Sequence, residues 1–207
     1  MLSNPVQGNL FIITAASGAG KTSLVSELLA KDSQVKLSIS HTTRQPRPGE
    51  QNGVHYHFVN DAQFMAILNV GGFLESADVH SAKYGTAQSA VDAALQAGND
   101  VILEIDWQGA AQVRNIYPQS ISIFILPPSV EALAERLNNR GQDSSDVIAK
   151  RLAAARAEMS HVVEFDYVTI NDNFEVALQD LLAIIRASRL KSPVQLQRYA
   201  NLIQNLT

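Results

Sequence analysis

An α/β fold, built on a parallel sheet with helices on both faces, is what this 207-residue sequence predicts. Short aliphatic and β-branched runs at residues 10–15, 35–40, 101–105, 121–126 and 167–170 supply a central sheet of five strands. Helical spacing follows or separates them at 23–30, 87–97, 130–137, 145–159 and 175–190, with Ser129 and Ser144 placed to cap two of these helices. Strands that alternate with helices need crossover connections, which make a sheet parallel and bury both its faces. A glycine-rich loop joins the first strand to the first helix, at the edge where open parallel sheets bind their ligands.

The first strand, Leu10-Phe11-Ile12-Ile13-Thr14-Ala15, runs into Ala16-Ser17-Gly18-Ala19-Gly20-Lys21-Thr22-Ser23. Glycines let the backbone come close to an anion. Successive N–H groups and the positive end of a helix dipole then converge on it. Lys21 adds a mobile positive charge for the outer phosphates, and the Thr22 hydroxyl can ligate the Mg2+ that accompanies them. The phosphate-loop pattern G-x-x-x-x-G-K-[ST] asks for glycine where this chain has Ala15. With a strand before and a helix after, the loop is expected to cradle a nucleoside triphosphate; a chance glycine-rich turn is the alternative.

Residues 40–86 interrupt the alternation, with strand-like stretches at 55–59 and 72–76 around a helix-like 61–70. An interruption this long in a compact fold is usually functional. Arg44 and Arg47 lie in it on a turn stiffened by Pro46 and Pro48. Two guanidinium forks so held can clamp a phosphate monoester, because arginine bonds bidentately where lysine is a point charge. Ser40 and Tyr56 can add hydroxyl contacts, and a solvated basic loop is the alternative. A second polar stretch, 126–160, carries Arg136, Arg140, Arg151 and Arg156. Beyond Pro193, the near-helical spacing of Leu196, Tyr199, Leu202, Ile203 and Leu206 predicts a terminal helix.

Composition narrows the function classes. A net charge of −4 and a pI near 5.7 give no general attraction to nucleic acid or an anionic membrane, so neither is expected as a partner. The absence of cysteine excludes a disulfide framework and thiolate chemistry, and it fits a reducing cytoplasm. Met1-Leu2-Ser3-Asn4-Pro5 lacks the basic-then-apolar order of a secretory leader, and no apolar run approaches membrane-spanning length. A cytoplasmic location is the expectation.

Ser40-x-Thr42-Thr43-Arg44-x-Pro46-Arg47-x-Gly49-Glu50, followed by Asn52-Gly53-x-x-Tyr56-x-Phe58, resembles the GMP-binding segment of guanylate kinases. The resemblance continues through Phe73-Leu74-Glu75, Tyr84-Gly85-Thr86, Leu103-Glu104-Ile105-Asp106-Trp107-Gln108-Gly109, Arg136 to Arg151 and Ile170-Asn171-Asp172, and so spans about residues 8–189. The loop resembles the bacterial form Ala-Pro-Ser-Gly-Ala-Gly-Lys, with Ala16 in place of the proline. What this implies is a P-loop nucleoside monophosphate kinase fold. Its core comprises 1–39, 87–126 and 161–207, with a mixed α+β GMP-binding insertion at 40–86 and a helical lid at 127–160. The implied reaction passes the γ-phosphoryl group of MgATP to GMP, and to dGMP, with Mg2+ as cofactor. A homo-oligomer is also implied.

The same resemblance distributes roles. Arg44, Arg47, Tyr56 and Tyr84 hold the GMP phosphate, with Glu50 in the same segment and Ser40 and Thr86 close to phosphate or base. Glu75 accepts hydrogen bonds from guanine N1–H and the exocyclic amine. A carboxylate only accepts, and adenine offers a bare acceptor where guanine offers a donor, so the site should reject AMP. Taken alone, Glu75 would read as an exposed carboxylate on a strand edge. Glu104 and Asp106 contact the monophosphate near the metal, Asp106 through water; Glu104 stands where other members commonly have aspartate. Lys21, Arg47, Arg136, Arg140 and Arg151 form the catalytic set, Arg140 on the transferred phosphoryl group and Arg151 bridging donor and acceptor. Asn171 and Asp172 join the loop residues 16–23 in holding ATP, although capping the next helix suits Asn171 or Asn173 equally. Arg156 matches nothing and reads as a solvated helix face.

Two other classes remain. Guanylate-kinase-like binding modules keep the fold and lose catalysis, but Gly18, Gly20, Lys21, Thr22 and the lid arginines are all retained here. A kinase acting on another phosphorylated acceptor would share the loop, and Glu75 with the 40–56 segment argues for guanine instead. A regulatory GTPase lacks support, there being no Asn-Lys-x-Asp base motif.

Overall fold

The computed structural model describes residues 7–79, 82–138 and 145–206. In chain order its elements are β1 (Leu10–Ala15), α1 (Lys21–Lys31), β2 (Val35–Leu37), β3 (His41–Thr42), β4 (His57–Phe58), α2 (Asp61–Asn69), β5 (Phe73–Val79), β6 (Ala82–Ala87) and α3 (Gln88–Gln96). There follow β7 (Asp100–Glu104), α4 (Trp107–Ile116), β8 (Ile121–Leu126), α5 (Val130–Asn138), α6 (Ser145–Met159), a 3-10 turn (Ser160–Glu164), β9 (Tyr167–Ile170), α7 (Phe174–Arg189), α8 (Ser192–Arg198) and α9 (Ala200–Leu206).

Five strands form the expected parallel sheet, in the order β2-β7-β1-β8-β9. Period-2 alternation splits the core between its faces. Phe11 and Ile13 of β1 pack with Leu24 and Leu28 of α1 and Leu178 and Leu181 of α7. Leu10 and Ile12 pack with Val91 and Leu95 of α3 and Val113 of α4. Because β1 lies between β7 and β8, the chain order reverses there, and a crevice opens beyond its carboxyl end.

Residues 41–87 build a second sheet, β4-β3-β6-β5, parallel only between β3 and β4. Its back rests on α2 through Phe64 and Phe73, whose ring centroids lie 4.6 Å apart. The front turns Glu75 and Tyr84 to the crevice. Ser129 caps α5, its Oγ accepting from Ala132 N–H at 3.0 Å, whereas Ser144 lies outside the described residues. The expected terminal helix is two, α8 and α9, separated at Tyr199.

Arg189, the last residue of α7, ties three elements together. Its Nε donates to Asp100 Oδ2 at 2.6 Å and its Nη1 to Asp32 Oδ2 at 2.7 Å. Asp100 is buried and accepts a further bond from the Asn9 N–H at 2.7 Å. Replacing Arg189 with alanine leaves that carboxylate without its cation, and about 3 kcal/mol of stability should be lost. A urea titration checks this, the expected sign being a lower midpoint with an unchanged slope.

Candidate active site

The crevice holds a cavity of about 290 Å3 lined from both sheets. Lys21 and Thr22 enter it from α1, Glu104, Ile105 and Asp106 from the end of β7, and Ser40, Tyr56, Glu75 and Tyr84 from the second sheet.

The loop after β1 turns at Gly18 (φ +91°) and Gly20 (φ +99°), conformations that L side chains rarely adopt. Gly20 is also the N-cap of α1. It offers no side-chain acceptor, and no acidic residue occupies the first turn, so the first amides of the helix face the crevice ready for an anion. The loop is propped from behind. Asn171 Nδ2 donates to the Ala19 carbonyl at 2.8 Å, and Arg136 Nη2 donates to the Asn171 carbonyl at 2.9 Å. Leu133, Leu137 and Ala155, from α5 and α6, close over Ala16. Lys21 Nζ donates to the Ile105 carbonyl at 3.3 Å, and Ser17 N–H donates to Glu158 of α6 at 3.2 Å.

Thr22 Oγ1 donates to Glu104 Oε1 at 2.5 Å. A hydroxyl and a carboxylate side by side are hard oxygen donors of the kind Mg2+ takes. Among the described residues there is no cluster of three or more metal-ligating side chains. The Thr22 and Glu104 oxygens fit a metal whose other ligands are waters and substrate phosphates, as is usual for Mg2+.

On the second sheet, Glu75 and Thr86 are cross-strand partners. Thr86 Oγ1 donates to Glu75 Oε1 at 2.5 Å and lies 3.2 Å from Ser40 Oγ. Glu75 is only 4% exposed, not the exposed edge carboxylate it would be if read alone. Burial pushes its carboxyl up to about 7; the charge of Asp106 adds to the rise, while the Thr86 hydrogen bond and the Lys21 charge oppose it. Arg44 is braced by other residues of the same region: Nε donates to Tyr84 Oη at 3.2 Å, Nη2 to Glu50 Oε1 at 2.8 Å, and the guanidinium stands 5.4 Å from the Tyr56 ring centroid.

Several sequence assignments change character in three dimensions. Glu50 holds the arginine turn, bonding Arg44 with one oxygen and the Arg47 backbone N–H with the other at 2.7 Å. Asp106 caps α4, accepting from Gly109 N–H at 2.8 Å, and Glu104 is the carboxylate that reaches Thr22. Asn173, not Asn171, caps α7. Asp172 and Arg47 are exposed. Arg140 lies outside the described residues, and Arg151 falls within α6. Glu158 was not among the sequence candidates; the stripe Leu152, Ala155, Met159, packed against the core at helical spacing, is the signal that places its neighbour Glu158 near the loop.

A family model described as guanylate kinase matches residues 7–188. The chain belongs to the guanylate kinase family. A guanylate kinase from Methylobacillus flagellatus is 68% identical over 201 residues, covering 97% of this chain and 100% of its own length. Another, from Dechloromonas aromatica, is 57% identical over 199 residues, covering 96% and 98%. The crystal structure of guanylate kinase from Anaplasma phagocytophilum matches with a TM-score of 0.76 at 30% identity, over 91% of this chain and 89% of that one. Guanylate kinases are nucleoside monophosphate kinases that phosphorylate GMP from ATP, and this chain is such an enzyme. Among the described residues, no helix is long and apolar enough to cross a membrane.

Proposed function

We propose that this guanylate kinase binds ATP on the glycine loop and GMP on the second sheet, and passes the γ-phosphoryl group between them across the crevice. The observation that carries the proposal is a single cavity lined by Lys21 and Thr22 on one side and Glu75 and Tyr84 on the other. The first amides of α1 and Lys21 hold the donor phosphates. Arg44, Tyr56 and Tyr84 hold the acceptor phosphate, and Glu75 with Thr86 reads the base. Thr22 is the protein ligand for Mg2+, with Glu104 beside it, and the bound metal supplies neutralisation of phosphate charge. dGMP is accepted too, since recognition is assigned to base and phosphate, not ribose.

Such a transfer needs positioning and charge neutralisation more than covalent help. No general base is required, because the acceptor phosphate is already nucleophilic. Residues 127–160 act as a lid and 40–86 as an arm whose closure excludes water, and Arg47, Arg136, Arg140 and Arg151 are assigned to neutralising phosphate charge. The test is ADP formation with GMP, dGMP, AMP and UMP as acceptors, and a control lacking Mg2+. Turnover should appear with the two guanine nucleotides and fall at least about a hundredfold without metal. Comparable turnover of AMP would contradict the assignment.

A further inference from the structure

We infer that α4 sets the guanine specificity of this enzyme by holding Glu75 in place, through two positioning residues, Gly109 and Gln112. The inference rests on the assignment of Glu75 as the base acceptor. Gly109 is the third residue of α4, where glycine weakens a helix relative to alanine. Contact explains its presence. A Cβ built on Gly109 would lie 2.6 Å from Glu75 Oε2 and 3.2 Å from Glu75 Cδ, with Ile105 Cδ1 at 3.4 Å. One oxygen of Glu75 thus faces a bare Cα while the other takes the Thr86 hydroxyl at 2.5 Å. The atom that must give way to a methyl group is the end of a flexible side chain. An alanine therefore moves the carboxylate and leaves the fold.

One turn further along α4, Gln112 grips the residue next to Glu75. Ser76 N–H donates to Gln112 Oε1 at 3.1 Å, and Gln112 Nε2 donates to the Ser76 carbonyl at 2.9 Å. β5 is an edge of its sheet, so these two backbone groups find in Gln112 what a further strand would offer. Because α4 is capped by Asp106, two residues past the end of the strand that carries Glu104, it references the base-reading strand to the same core edge as the triphosphate loop. Gly109 fixes the lateral position of the carboxylate, and Gln112 fixes the strand that bears it.

The test compares kcat/KM for GMP and for IMP, which lacks only the exocyclic amine, together with the KM for ATP. The wild-type enzyme, G109A, Q112A, E75Q and the G109A/E75Q pair are measured. G109A and Q112A should each lower the GMP-to-IMP ratio about tenfold, the worth of one hydrogen bond to a charged group, with the KM for ATP unchanged. G109A should add no further loss of the ratio in the E75Q background, since the two act through one carboxylate. A merely structural role would instead shift the ATP and GMP constants together. If E75Q collapses the ratio while G109A and Q112A leave it intact, the inference falls and Glu75 still reads the base. If E75Q also leaves it intact, both fall.

Discussion

Replacing Lys21 with alanine should lower kcat about a thousandfold and weaken ATP, while GMP binding at pH 8 changes less than about twofold. The side chain stands half-buried at the centre of the crevice with its ammonium 3.3 Å from the Ile105 carbonyl. When the phosphates arrive, that charge meets the oxygens on which negative charge builds during transfer. Water is a poor stand-in for it, since a preorganised charge costs no reorganisation at the moment of transfer. The fold should not be the cause of the loss. Alanine favours the helix that starts at this residue, and the Ile105 carbonyl keeps its bond from Thr14 Oγ1 at 3.0 Å. Steady-state kinetics with both nucleotides varied, beside a thermal melt, distinguishes the two causes. An unchanged kcat with only a raised KM for ATP would assign Lys21 to binding alone.

Glu75→Gln should cut kcat/KM for GMP by about a thousandfold, because a buried amide presents a donor to the guanine donors it has to face. The pH dependence follows from the same group. The N1–H and amine of guanine need an ionised acceptor, yet burial holds the free carboxyl near 7. Below that pH GMP must displace a proton, so the apparent affinity falls about tenfold per pH unit as pH drops and levels off above it. The GMP phosphate itself takes up a proton at a pKa of about 6. E75Q, which has no carboxyl, isolates that component; the wild-type profile minus the E75Q profile should show one ionisation near 7. Coincident profiles would contradict the assignment.

The parallel sheet was legible in the sequence because both its faces are buried, which forces near-continuous aliphatic strands such as Ile121–Leu126. α6 matches the expected 145–159 for a similar reason, an uninterrupted helical pattern. β2 ends at Leu37, short of the expected 40, because the chain turns there toward the second sheet. β3 spans two residues and β6 alternates with Lys83, Tyr84 and Gly85, so neither has an apolar period to find. α4 is masked by Gly109, whose presence answers to Glu75 and not to the helix.

Candidate site residues divide along the same line. Those that act from a local motif, Gly18 to Thr22 or Arg44 beside its prolines, are readable as patterns. Those that act through distant partners are not. The Asn171 bond to Ala19 spans 152 positions, and the Gln112 bonds to Ser76 span 36. No periodicity encodes such pairs. Glu104 shows the reverse case, a residue noted in the sequence for one extra methylene, whose carboxylate meets the Thr22 hydroxyl.

Titration calorimetry tests the two-site account most directly, with GMP and a nonhydrolysable ATP analogue added separately to the wild-type, K21A and E75Q proteins. K21A should lose the heat of the ATP analogue and keep that of GMP, and E75Q should do the opposite. Loss of both nucleotides in either variant, or full GMP binding by E75Q, would contradict it.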